Sequence, residues 1–535
     1  MVDARNTTTG QKRPRHRNLR QRIVVTGQLE LVTPAHFGNG DADELTDMPL
    51  LTDEVSGQAL ITGASLAGAL RNHLRERQWG YELPMPSRDM HSPYFREWNE
   101  TENELLATKL FGGHRGDEDG AQSPLIVDDA LSEGKGRPET ELRDGVKLDP
   151  RTRTAEEEKK YDYQLLTAGT LFNLRFELLL DNNEKENGLR KKALAIALQA
   201  LAVGEIRLGA RKRRGFGCCR VDGWAVTTYD LREPKDLLAW LKTGFAAAQD
   251  ADRNSGNPPS RDIASLLKVE LTEADQIDRR EWFEIEADFE IDSSLIVRGG
   301  FDEQDRGPDV VHLSTKRNGS KKPILPGTSV AGAIRHRALR IANTLAGKGD
   351  KAVAGARNFI GGMFGVEMDN SRDKESQSKK ADKNNEEKVE PHASRVMVNE
   401  ELISGGQSLV QTRIKIDRFT GGTIEAALLE EAPHFGGGVK LRLHLRNPED
   451  EEIGLLLLVL KDLWLGDLPL GGESSIGRGR LRGVSAKLRH SRNGEIEMSD
   501  ESRNGEIRLT GGNAVARLEA YVGALQRVNW EKFEK

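Results

Sequence analysis

Two glycine-rich stretches carry the residue types best suited to chemistry, and they are copies of one another. They are Gly204-Glu-Ile-Arg-Leu-Gly-Ala-Arg-Lys-Arg-Arg-Gly-Phe-Gly217 and Gly466-Asp-Leu-Pro-Leu-Gly-Gly-Glu-Ser-Ser-Ile-Gly-Arg-Gly479. Superposed without a gap at an offset of 262 residues, they share Gly204 with Gly466, Gly209 with Gly471, Gly215 with Gly477 and Gly217 with Gly479. Glycine at fixed places marks backbone that needs positive φ or close approach. Among these glycines stand Arg207, Arg211, Lys212, Arg213 and Arg214 in the first copy, and Arg478, Arg480 and Arg482 in the second. Open backbone amides beside guanidinium groups form a cradle for phosphate. A solvated surface turn has a similar composition, and recurrence in the second half is what favours the phosphate reading.

The elements that must position these loops also repeat. Arg22 to Val32 reads as a strand, and Phe283, Ile285, Ala287, Phe289 and Ile291 alternate as a second one. An acidic loop follows each: Gly38-Asn-Gly-Asp-Ala-Asp-Glu-Leu-Thr-Asp47 and Gly299-Gly-Phe-Asp-Glu-Gln-Asp-Arg-Gly-Pro-Asp309. Leu60 to Arg71 and Ile324 to Arg335 then predict a turn feeding a helix, with Ser65 as a cap for the first. Leu110-Phe-Gly-Gly113 answers Met363-Phe-Gly365, and Gly145-Val-Lys-Leu-Asp149 answers Arg413-Ile-Lys-Ile-Asp417. Strands over 171–180 and 439–445, helices over 189–201 and 452–464, and the glycine loops complete each half. This order predicts an α+β fold: two tandem ferredoxin-like, RNA-recognition-like domains with inserted loops and hairpins.

The expected division is a basic flexible arm over 1–21, a first domain over 22–248, a linker over 249–282, a second domain over 283–490 and a tail over 491–535. The polar run 369–391 is expected to be a disordered insertion. Asn513 is placed as the cap of a final amphipathic helix carrying Val515, Leu518, Val522 and Leu525.

Composition narrows the class of function. Among 535 residues, 31% are charged and the net charge is only −6, so any basic surface must be local. The two cysteines, Cys218 and Cys219, are adjacent and make neither a zinc site nor a disulfide framework. The longest apolar run, Ile453 to Leu460, is too short to span a bilayer, and Met1 to Arg22 has no apolar leader segment. A cytoplasmic protein with no membrane partner is expected. Phosphate-binding Lys-Ser/Thr loops, His-Glu-x-x-His and Gly-Gly-Asp-Asp do not occur in the chain, and Gly63-Ala-Ser-Leu-Ala-Gly68 is one residue too long for a nucleophile elbow.

The turn-helix, the Phe-Gly pair, the Lys-x-Asp segment and the terminal glycine loop, in this order, resemble the RAMP superfamily of CRISPR–Cas proteins. Leu325-Pro-Gly-Thr-Ser-Val-Ala-Gly-Ala-Ile-Arg335 and Ile414-Lys-Ile-Asp-Arg-Phe-Thr-Gly421 most resemble the repeated backbone subunit of type III effector complexes. The resemblance covers about 22 to 250 and 283 to 490, so two such units are joined in one chain. It implies binding of CRISPR RNA along both halves, a hairpin in each that interrupts the guide–target duplex, and further effector subunits as partners.

It also implies that an aspartate in the loop after the first strand supports cleavage of complementary target RNA with Mg²⁺ or Mn²⁺. The candidates, for catalysis and for the metal, are Asp47 and Asp309, with Asp41, Asp43 and Glu44, or Asp302 and Asp305, as helpers. One carboxylate can hold a hydrated Mg²⁺ whose other ligands are water and phosphate. RNA contacts are expected at Arg71, Lys147, Arg335 and Lys415 besides the loop cations. Three other readings stand beside this one. They are a scaffold without an active site, an assembly protein, and a metal-independent nuclease that processes precursor guide RNA, for which His36 and His312 lie near the right loops.

Overall fold

The computed structural model describes residues 18–38, 48–81, 105–113, 122–149, 154–251, 259–299, 307–317, 319–365, 392–500 and 507–534. The chain is α+β; the described residues form two large hydrophobic cores, one for each copy of the repeat, and a small third cluster of Tyr163, Leu165 and Phe216.

The first core forms beneath a four-stranded antiparallel sheet in the order Leu125–Val127, Leu171–Leu180, Gln21–Leu31, Cys219–Asp230. Helices Gly63–Trp79 and Glu184–Ala202 supply Leu66, Leu70, Leu74, Leu194 and Leu198 to the same cluster. Thr62, rather than Ser65, caps the first of these: its hydroxyl accepts from the Ser65 amide at 3.2 Å. Position follows from backbone, since Thr62 is the last extended residue and Ser65 is already helical.

The second sheet is larger. Its central strand Trp282–Asp292 alternates as expected, burying Phe283, Ile285, Ala287, Phe289 and Ile291. Burying each of its large apolar side chains contributes about 1.5–3 kcal/mol. Gly438–Arg446 flanks this strand on one side and Arg480–His490 on the other. Helix Asp450–Trp464 begins with a capping box between Glu449 and Glu452 and three acids in its first turn, all favoured by the exposed amides and the helix dipole.

Each half projects an antiparallel hairpin where the Lys-x-Asp segments lie: Thr140–Leu148 with Ala155–Leu166, and Gln411–Ile416 with Thr423–Ala432. The two stretches read as linker and tail are both packed. Ile263 and Leu267 enter the first core, while Ile496, Tyr521, Leu525 and Trp530 enter the second. Strand Gly494–Ser499 extends the second sheet beside Arg480–His490. Asn513 precedes helix Ala514–Gln526 in left-handed conformation, and its side chain makes no cap bond. Of the arm expected over 1–21, residues 1–17 lie outside the described residues and Gln21 already opens the first strand; the insertion over 369–391 also lies outside them. No helix among the described residues is long and apolar enough to cross a membrane.

Candidate nucleic-acid interface

The glycine loops are built structures. Gly204, Gly209, Gly215 and Gly217 all have positive φ, as do Gly466, Gly471, Gly477 and Gly479. Gly217 and Gly479 are the strictest: a Cβ would lie 1.8 Å and 1.9 Å from the carbonyl oxygens of Leu208 and Leu470. Those leucines close the loops by donating to Gly217 O and Gly479 O, both at 2.9 Å. Even the non-glycine turn residues match, since Arg211 and Glu473 both take left-handed φ, 52° and 58°. A short 3₁₀ turn follows each, Lys212–Arg214 and Ser474–Ile476.

Side chains then diverge. The first loop lies against the second half. Arg207 Nη2 donates to Asn399 Oδ1 at 2.6 Å, and Arg213 donates to the Ser394 carbonyl. A Cβ on Gly215 would meet the Glu400 amide. Arg211 stacks over Tyr161 and Tyr163 at 4.5 and 4.8 Å and donates to the Tyr161 hydroxyl. Burial pushes the Tyr163 phenol up to about 12. Arg214 is held below its ordinary pKa by desolvation first, then by Arg335, Arg213 and Arg211. Its buried Nη1 has no hydrogen-bond partner among the described residues. Lys212 is lowered by burial and then by Arg446. The structure therefore gathers Arg211, Arg213, Arg214 and Arg335 into one cationic cluster where the halves meet, an arrangement that favours a bound polyanion.

The second loop holds its cation differently. Arg478, at 4% exposure, is locked between Glu473 (2.6 Å) and the buried Glu431 (3.1 Å), and donates to Gln411 at 2.6 Å. Arg413 joins the same network through both carboxylates. Arg478 is thus an internal brace. Arg480 and Lys415 are exposed, the first opening strand Arg480–His490 and the second on the outer hairpin. Arg71 reaches the Gly112 carbonyl at 3.4 Å, and Lys147 lies on strand Thr140–Leu148.

Asp309 is exposed, and its Oδ2 accepts from the Glu430 amide at 2.8 Å, which ties it to the base of the second hairpin beside the parallel pair Val310–Glu431. Asp47 and the helper acids of both loops lie outside the described residues. No group of three metal-ligating side chains occurs among the described residues. A lone, oriented carboxylate at Asp309 fits a water-rich divalent site with a single protein ligand.

The family model of the RAMP superfamily matches residues 28–220 and 288–482. The chain belongs to the RAMP superfamily. No curated protein matches the chain. Both matched spans run from within the first strand of a half to the strand after its glycine loop, so a RAMP unit occurs twice. Strand Gly494–Ser499 and helix Ala514–Gln526 lie beyond the second.

In this RAMP protein His312 is a structural residue. Nδ1 accepts from the Val297 amide at 3.2 Å, Nε2 donates to the Ile324 carbonyl at 3.0 Å, and burial lowers its pKa to about 4. Both nitrogens are spent, which leaves none to act as a base. His36 is buried with Nδ1 on the Gln164 carbonyl at 2.8 Å. Sequence reasoning missed a basic hairpin, Ser314–Arg317 with Ser320–Leu325, which carries Lys316, Arg317, Lys321 and Lys322. Its signal was present, as paired cations on either side of Asn318-Gly319, a turn dipeptide. Phe419, within Ile414 to Gly421, is 99% exposed at the tip of the second hairpin.

Proposed function

We propose that this RAMP protein is a cytoplasmic backbone subunit of a type III CRISPR RNA-guided effector complex. It binds CRISPR RNA along both halves and takes part in divalent-metal-dependent cleavage of complementary target RNA at Asp309 and Asp47. The observation that carries the RNA reading is the cluster of Arg211, Arg213, Arg214 and Arg335, where desolvation and mutual repulsion depress the Arg214 pKa. A phosphate chain relieves that repulsion, and the exposed Lys415 and Arg480 extend the path beyond the cluster.

The chain's own contribution to cleavage is positional. The Glu430 amide orients the Asp309 carboxylate, and the hairpin beside it ends in an exposed Phe419 able to stack on a base. A divalent cation, when bound, supplies charge neutralisation at the scissile phosphate.

The test uses the full chain in its complex. Arg214→Ala with Arg335→Ala should weaken guide RNA binding at least tenfold and flatten the salt dependence by about 1.4 in log–log slope, at about 0.7 for each lost contact. Mapping cuts in end-labelled target RNA with Mg²⁺ then tests the acids. Asp47→Ala and Asp309→Ala should each erase one distinct cut while guide binding persists. Unchanged cuts in both variants would leave the chain as a scaffold and assign cleavage to a partner.

A further inference from the structure

The Asp309 carboxylate is held from behind by the ion network at the base of the second hairpin. Asp309 to His312 run along the end of strand Thr423–Ala432. Val310 and Val311 pair in parallel with Glu431 and Ala432, and the His312 amide donates to the Ala432 carbonyl at 3.1 Å. The Asp309 carboxylate closes this run on the Glu430 amide at 2.8 Å. Its aim is therefore set by where residues 430–432 lie. One side chain pins them. Glu431 is fully buried, with Arg413 at 3.0 Å and Arg478 at 3.1 Å. Both guanidiniums also meet Glu473, at 3.1 and 2.6 Å. Arg478 and Glu473 belong to the glycine loop, and Arg413 to the facing strand Gln411–Ile416. Ions buried together hold their places, because losing one partner leaves another charge buried alone.

The first half carries no such network. Bridges Gly38–Leu50 and Arg298–His312 match, as do the bonds from the Leu51 amide to Phe37 and from the Leu313 amide to Val297. Asp47 and Asp309 each stand three residues before the bridged Leu50 and His312, so they are equivalent in sequence. Gly145 pairs with Tyr161 across the first hairpin, and Arg413 with Leu429 across the second. Tyr163 therefore stands where Glu431 does, and Arg143 where Gln411 does. Phe216 takes the place of Arg478. One chain thus holds two copies of the acidic loop, and only the second backs onto buried ions.

We propose that Glu431 and Arg478, together with Arg413 and Glu473, are positioning residues for the Asp309 carboxylate. They fix the strand end whose amide aims it, and so couple the second glycine loop to the acidic loop of the same half. Their effect on cleavage rests on the function proposed for Asp309. The aiming of the carboxylate does not.

Two readouts on the full chain in its guide complex test this. Hydrogen exchange at the Glu430 amide reads the aim without any cleavage. Asp309→Ala should speed it about tenfold, since the amide loses its acceptor. Glu431→Gln should speed it about threefold with Asp309 intact, because the strand end then opens locally. Cut mapping across a Mg²⁺ titration reads the consequence. Glu431→Gln should raise the Mg²⁺ needed for half-maximal cutting at the Asp309 site about tenfold. The Asp47 cut in the same complex, and guide binding, should stay as in wild type. Arg478→Met should match this shift, and Arg478→Lys, which keeps the charge, should recover most of it. If Glu431→Gln does not fold, Glu473→Gln, nearer the surface, should give a smaller shift in the same direction. Unchanged exchange at Glu430, a wild-type Mg²⁺ dependence of the Asp309 cut, or an equal shift at both cuts would overturn the proposal. If Asp309→Ala erases no cut, the functional reading falls there, and the exchange rates alone decide whether the network aims the carboxylate.

Discussion

The same corner of the fold is filled twice, by opposite chemistry. Where the first hairpin meets its glycine loop, Arg211 stacks on Tyr161 and Tyr163, and Tyr163 packs edge-on against Phe216 at 5.8 Å. At the matching positions of the second half stand Glu473, Leu429, Glu431 and Arg478, and the three charged ones form an ion network with Arg413. The backbone is shared to the level of left-handed φ at Arg211 and Glu473. The loop fold therefore does not depend on its side chains, and selection has been free to give each copy a separate task. The first corner faces the second half, and the second faces outward.

The largest effect expected from this contrast is at Glu431. Glu431→Gln leaves the guanidiniums of Arg478 and Arg413 without half of their counter-charge, and removing one partner of a buried ion pair costs about 3–5 kcal/mol. The matching change, Tyr163→Phe, keeps the contacts with Arg211 and Phe216 and, as a near-isosteric change, should cost less than about 1.5 kcal/mol. Urea unfolding of each full-length variant gives the two values. Equal losses would mean that the second corner is no more ionic in energy than the first.

Next in size is the contact between halves. Arg143→Ala should cost about 3–5 kcal/mol, because Glu400 is wholly buried and its charge would lose its cation. Gln411→Ala, its counterpart on the exposed hairpin, should cost about 1 kcal/mol through the lost bond to Arg478. Limited proteolysis adds a readout: the first change should speed cleavage between the halves and the second should not. Similar rates for both would show that the halves are held elsewhere, for instance through Arg446 and Glu76 at 3.1 Å.

What the sequence disclosed and what it hid divide along the same line. Backbone demands were legible because glycine spacing and strand alternation record them directly. Strand Trp282–Asp292, helix Glu184–Ala202 and both loops lie within a few residues of their expected places. Side-chain destinations were not legible. Arg478 and Arg207 looked like equivalent loop cations, yet one is braced by buried acids and the other reaches across to Asn399. A charge count cannot tell these apart, since partners come from residues 47 and 192 positions away. Even a shared core contact can be encoded differently. Trp224 sits on a strand over Gly27 and Trp464 on a helix over Gly483, each against a phenylalanine at 6.1 Å. Asp309 was placed by resemblance, and its tie to Glu430 has no trace in the sequence.

The smallest effect isolates the interface from the backbone. Gly215 and Gly477 occupy matching positions with φ of 98° and 90°, so alanine is strained equally at both, by about 1–2 kcal/mol. Their surroundings differ. A Cβ at 215 would lie 2.2 Å from the Glu400 amide, whereas one at 477 would meet nothing within 4 Å. Gly215→Ala must therefore push the second half away as well, adding about 1–3 kcal/mol of overpacking. Gly477→Ala should show the φ strain alone. The difference between the two, read from urea midpoints, measures how rigidly the halves are joined. A near-zero difference would mean that the second half yields at no cost, and the cationic cluster around Arg214, which that contact assembles, would then have no fixed geometry to offer a phosphate chain.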